Sequence, residues 1–105
     1  MAWIVLVLAG MFEVIWAYSM KISEGFTRFV PSVITLIFMV LSFALLAYAM
    51  RSLPLGTAYT IWTGIGAVGS FLVGIFILGE PATAVRMLAA VLIISGLVLM
   101  KLSSS

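Results

Sequence analysis

The 105-residue sequence contains no cysteine, histidine, aspartate, asparagine or glutamine. Without cysteine there is no disulfide framework, and without cysteine or histidine there are no thiolate or imidazole metal ligands. Ser-His-Asp and Cys-His nucleophilic chemistry is excluded, and so is an N-glycosylation acceptor. No cofactor, metal site or enzymatic activity is expected. Charge is scarce too: three acidic and five basic residues make up 8% of the chain, for a net charge of +2. An ordinary soluble domain is about 25% charged and about 45–50% apolar, whereas this chain is 66% apolar with a mean hydropathy of +1.41. A domain of this size buries only about two-thirds of its surface, and so few charges cannot cover what is left. A membrane protein with lipid on its outside remains. The cations stand at the ends of apolar runs and form no basic stripe, so the bilayer is an expected partner and nucleic acid is not.

Charges and turn residues divide the chain into four apolar spans, about 3–20, 32–50, 57–78 and 84–101. Runs of about 17–22 residues at 1.5 Å per residue cross a hydrocarbon core of about 30 Å. The expected fold class is an all-α membrane protein: one four-helix transmembrane domain over residues 1–105, with short hairpin connections and no soluble domain. The first span lacks the basic leader of a signal peptide and carries an acid, so cleavage is not expected.

Lys/Arg bias sets the orientation of such a chain. Alternating helices place Arg51 and Lys101 on one face and Lys21, Arg28 and Arg86 on the other. Two against three is almost no bias. Both orientations are therefore expected to coexist and to pair as an antiparallel homodimer of dual topology.

Glu13 stands in the middle of the first span, where a carboxylate costs about 2.5–3.5 kcal/mol on insertion scales and is rarely kept without a use. It is read as a proton or cation site; the structural alternative is a protonated acid that only bonds to a neighbouring helix. Glu24 and Glu80 adjoin Gly or Pro in connections and are read as solvated. Leu6, Ala9, Gly10, Trp16, Ala17 and Met20 share the Glu13 face of the helix. Gly10, like Ala9 and Ala17, permits close helix approach, and Trp16 offers an aromatic wall and an N–H donor. Counting inward at 1.5 Å per residue puts Glu13 at about 15 Å, Ser42 at about 12 Å and Trp62 at about 8 Å, close enough in depth for one polar cluster.

Each neighbour also has a structural reading. Trp62 and Tyr59 are either site residues or interfacial belt aromatics like Trp3. Ser42 either faces the cluster or bonds back to its own helix. Met39 and Phe43 are read as packing, lipid-facing or portal residues. Gly64-x-Gly66-x-x-Gly69 has the form of a dinucleotide fingerprint but lacks the strand that one requires; inside an apolar helix, Gly64 and Gly66 permit close packing or a kink. Ala89, Ala90, Ser95 and Gly96 in the last span suit a helix–helix contact, a candidate dimer seam.

Four helices cannot wrap an aqueous pathway alone, so transport requires at least two copies. A dimer brings two Glu13 side chains into one apolar chamber, where they titrate as a coupled pair. Carboxylates that hold either protons or a cation, never both, suffice for antiport if the dimer opens alternately to each side. A passive cation channel and a small regulatory subunit of a larger membrane complex are the other classes left open.

Three stretches, the Glu13 helix, Ser23-Glu24-Gly25-Phe26-Thr27-Arg28 and Ala58-Tyr59-Thr60-Ile61-Trp62-Thr63-Gly64-Ile65-Gly66, make the chain resemble the small multidrug resistance family of bacterial four-helix antiporters along its whole length. Within it, Gly10-Met11-Phe12-Glu13-Val14-Ile15-Trp16-Ala17 resembles the guanidinium-exporter subtype, with Trp16 where the multidrug subtype has a small residue; Lys101 also fits that subtype. The resemblance implies a multi-pass protein of the bacterial inner membrane, an antiparallel homodimer that exchanges protons for guanidinium-type cations. It implies Glu13 as the shared proton and substrate site, with Trp16, Ser42, Tyr59 and Trp62 as its hydrogen-bonding shell. Some relatives of that subtype also move hydrophobic quaternary ammonium ions, whose alkyl tails could pass between helices at Met39 and Phe43.

Overall fold

The computed structural model describes residues 1–103; the last two serines of the tail lie outside the described residues. Four α-helices account for nearly all of it: α1 (Ala2–Ile22), α2 (Phe29–Ala49), α3 (Leu55–Phe76) and α4 (Ala84–Ser103). All four are long and apolar enough to cross a membrane.

The helix ends differ from the apolar runs by a few residues, for local reasons. α2 starts at Phe29, ahead of its run, and so takes Pro31 into its first turn. Proline is tolerated there because the amide it lacks has no intrahelical partner. α3 starts at Leu55, directly after Pro54. The connection between α1 and α2 is a folded turn. Glu24, Gly25 and Phe26 all have positive φ, at 52°, 75° and 67°. Ser23, fully buried, holds that turn: its Oγ donates to the Met20 carbonyl (2.6 Å) and accepts the Phe26 N–H (3.0 Å).

The helices form a slab of 42 × 35 × 17 Å, thinner than two helix diameters of about 10 Å each. α1 lies between α2 and α3, while among the described residues the backbone of α4 runs against α3 alone and Lys101 reaches over to Trp3 of α1. The buried core is small and sits where the first three helices meet: Leu6 and Ala9 of α1, Ala49 of α2, and Ala58, Ile61 and Trp62 of α3. Small residues set the helix spacing at three points. A Cβ at Gly10 would collide with Ile65 of α3, one at Gly69 with Val14 of α1, and one at Gly64 with Leu97 of α4. α4 itself has no buried residue, and the position of a Cβ on Gly96 is open.

Candidate functional site

α1 and α3 run in the same direction, so Glu13 meets α3 one turn beyond Trp62. Its carboxylate rests against Gly66, where any Cβ would collide with it. Glu13 Oε1 is buried with no hydrogen-bond partner among the described residues. One turn further along α1, the Trp16 Nε1 donor is likewise buried and unpaired. Buried polar groups are paired in the great majority of cases, so an orphan acceptor and an orphan donor on one helix face mark a place built for something else.

Beside them lies a paired polar set. Ser42 Oγ of α2 donates to the Ala9 carbonyl of α1 at 2.7 Å and accepts the Trp62 Nε1–H of α3 at 2.9 Å. One hydroxyl thus ties three helices, and Ser42 bonds across the bundle instead of to its own helix. Trp62 is buried, at 7% exposure. Tyr59 stacks on it with ring centroids 5.6 Å apart and planes 28° apart. Phe43 sets its edge against Trp62 at 5.7 Å and against Trp16 at 6.3 Å. Tyr59, Trp62, Phe43 and Trp16 therefore make a continuous aromatic wall. Phe43 reaches Trp16 because side chains lean toward their own helix N-termini, so those of antiparallel α1 and α2 lean toward each other.

The structure thus joins Ser42, Tyr59, Trp62 and Trp16 through rings and one hydroxyl. Among the described residues, no hydrogen bond links any of them to Glu13. Met39 is half-buried on α2, while Phe43 is both a wall residue and 47% exposed. Gly66 is the seat of the Glu13 carboxylate and Gly64 the seat of Leu97; α3 is one unbroken helix across both. The part played by the Ala9 carbonyl escapes sequence reasoning because it is backbone. Its one signal is position, a single turn before Glu13.

Removing the Ser42 hydroxyl leaves the Trp62 N–H buried without its acceptor, at a cost of about 1–3 kcal/mol. Ser42→Ala is expected to lower the melting temperature of the detergent-solubilised protein by several degrees, and Ser42→Thr, which keeps the hydroxyl, to lower it less.

A family model described as Small Multidrug Resistance protein matches residues 1–103. The chain belongs to the small multidrug resistance family. Proteins named guanidinium exporter are similar to it over their full length. That of Yersinia pestis is 58% identical across 99% of this chain and 100% of its own. Those of Escherichia coli K12 and Salmonella typhimurium are 54% and 53% identical, across 99% of both chains in each case. As a small multidrug resistance protein with four apolar helices, the chain is a multi-pass integral protein of the bacterial inner membrane.

Proposed function

We propose that this chain is a proton-coupled exporter of guanidinium-type cations, in which protons and substrate compete for Glu13. The observation that carries the proposal is the half-buried Glu13 carboxylate, whose Oε1 is buried without a partner, on the helix face of Trp16 and its aromatic wall. Guanidinium is planar and presents paired N–H donors that match the two carboxylate oxygens, and its face stacks on indole or phenol rings. The relatives named guanidinium exporter support that choice of cation. A protonated Glu13 offers no anion to the substrate, and a Glu13 that holds the substrate has no room for a proton. Occupancy by one therefore requires release of the other.

The working unit is an antiparallel, dual-topology homodimer. A slab 17 Å thick does not enclose a pathway, and α4 offers an unburied face with Ala89, Ala90 and Gly96. The nearly even division of Lys and Arg between the faces leaves either orientation open to insertion. A two-fold axis in the membrane plane makes the two open states equivalent by exchange of subunits, the limiting case of an inverted repeat. The half-exposed Phe43, with Met39 four residues before it, favours a second substrate class, quaternary ammonium ions whose alkyl chains lie between helices.

Capacitive currents from proteoliposomes on a solid support test this. Guanidinium jumps are expected to give currents that change sign with the imposed proton gradient, and small tetraalkylammonium ions to give weaker ones. Guanidinium currents indifferent to that gradient would make the protein a channel, and no currents at all would make it a subunit of something larger. Tags on the C-terminus are expected to be accessible from both sides of the membrane; accessibility from one side alone would remove the dual topology.

A further inference from the structure

A cavity of about 310 Å³ opens between the ends of α1 and α3 and the start of α4; Val14 and Ala17 line it, but Glu13 and Trp16, which precede them in the chain, do not. Tyr18, Lys21, Ser70, Glu80 and Arg86 give it polar groups, and Phe71 forms part of its wall. Its architecture begins with Gly79, whose φ of +73° turns the chain back after α3. The Glu80 N–H then donates to the Gly74 carbonyl at 2.9 Å, and the Glu80 carboxylate rests on Gly74 where a Cβ would collide. Across the connection, Thr83 Oγ1 accepts the Arg86 N–H at 3.2 Å, which fixes Arg86 in the first turn of α4. The Arg86 guanidinium lies 5.3 Å over the Phe71 ring and 3.9 Å from Glu80 Oε1.

The charges of this cavity do not cancel. Lys21 and Arg86 face one carboxylate, leaving an excess of one positive charge. Arg86 sits at the positive end of the α4 dipole, which disfavours a cation there, and Lys21 has no ion-pair partner among the described residues. The guanidinium has five N–H donors in a planar fork, enough to serve Glu80 on one edge and a second anion on the other. Lys21 closes α1 and Arg86 opens α4, so both stand where apolar spans meet the headgroup layer. The cations of the other face are arranged differently: Arg51 lies over Tyr48 and Lys101 over Trp3, each lining a separate cavity.

We propose that the cavity is a headgroup site for an anionic phospholipid, with the phosphodiester held between the Lys21 ammonium and the Arg86 guanidinium. The hydroxyls of Tyr18 and Ser70 are its further donors. The single excess positive charge matches the single negative charge of a phosphatidylglycerol diester. Free inorganic phosphate, part of it dianionic at neutral pH, matches less well and has no acyl chains to lie along the apolar walls formed by Val14, Ala17 and Val73. The proposal is independent of the transported cation.

Native mass spectrometry of protein released from mixed phosphatidylglycerol and phosphatidylcholine vesicles tests it. Lys21→Gln and Arg86→Gln are each expected to lower retained phosphatidylglycerol relative to phosphatidylcholine by about fivefold, the factor that one interfacial charge contributes. The paired variant Lys21→Arg with Arg86→Lys keeps both charges and is expected to retain the lipid, which separates loss of charge from loss of fold. The control Arg51→Gln with Lys101→Gln is expected to match the unmodified chain. Retention unchanged by both single Gln variants, or an equal fall in the control, would overturn the site. Displacement of the lipid by millimolar inorganic phosphate would overturn the lipid as its occupant.

Discussion

Glu13→Gln is expected to reduce guanidinium-driven proton exchange in proteoliposomes to the level of vesicles without protein. The substitution is nearly isosteric, so the carboxylate seat against Gly66 stays filled. What it removes is the ability to carry a negative charge. An amide neither binds a proton in exchange nor offers two acceptor oxygens to a planar cation. A neutral group at mid-membrane is also easier to insert than a carboxylate, so expression and helical content are expected to hold or rise while exchange vanishes. Unchanged exchange in this variant would remove Glu13 from the mechanism altogether.

The second large effect is expected at Gly66. A methyl group there would meet the Glu13 carboxylate before anything else. The carboxylate is the far end of a flexible side chain, so it gives way at little cost to the fold. Alanine also favours the helix over glycine by about 1 kcal/mol, which offsets part of the crowding. Gly66→Ala is therefore expected to shift the melting temperature by only a few degrees while lowering exchange more than about tenfold, the scale on which a small misplacement of a reacting group is felt. Gly64→Ala collides with Leu97 and not with the carboxylate, so its effect is expected chiefly on stability. Gly56→Ala meets nothing within 4 Å and is expected to leave both measures unchanged or slightly raise stability. Liposome flux and thermal melts on the three alanine variants separate these outcomes. Equal losses of exchange at Gly56 and Gly66 would contradict the seating of Glu13.

The four helices are legible in the sequence because lipid enforces a simple rule: few charges inside, turn residues and charges at the ends. The helix starts are less so. Pro31 reads as part of a connection, yet it fits the first turn of α2. Glu13 stands out by composition alone, as an acid in an apolar span. What joins its neighbours is harder to read, because it depends on how helices lean and cross. Ser42 has two readings from sequence, and only the packed bundle shows it spanning from the Ala9 carbonyl to Trp62. Phe43 reads as a packing or portal residue, and its link from Trp62 to Trp16 comes from antiparallel side chains leaning toward each other. The glycines of α3 read as places of close approach. Which neighbour each one admits, Leu97 at Gly64 and Glu13 at Gly66, is set by helix rotation, and no spacing rule supplies it. Composition is silent on the cavity charge at Lys21, Glu80 and Arg86, because Lys21 lies far from the other two in sequence and only the turn at Gly79 brings Glu80 back to the cavity.

In the proposed exchange a proton and a guanidinium-type cation exclude each other at Glu13. The most direct test adds guanidinium to the detergent-solubilised protein in weak buffer while calorimetry records binding and a pH electrode records protons. Proton release is expected to saturate together with binding, and Glu13→Gln is expected to release none. Saturable guanidinium binding without proton release would contradict that exclusion.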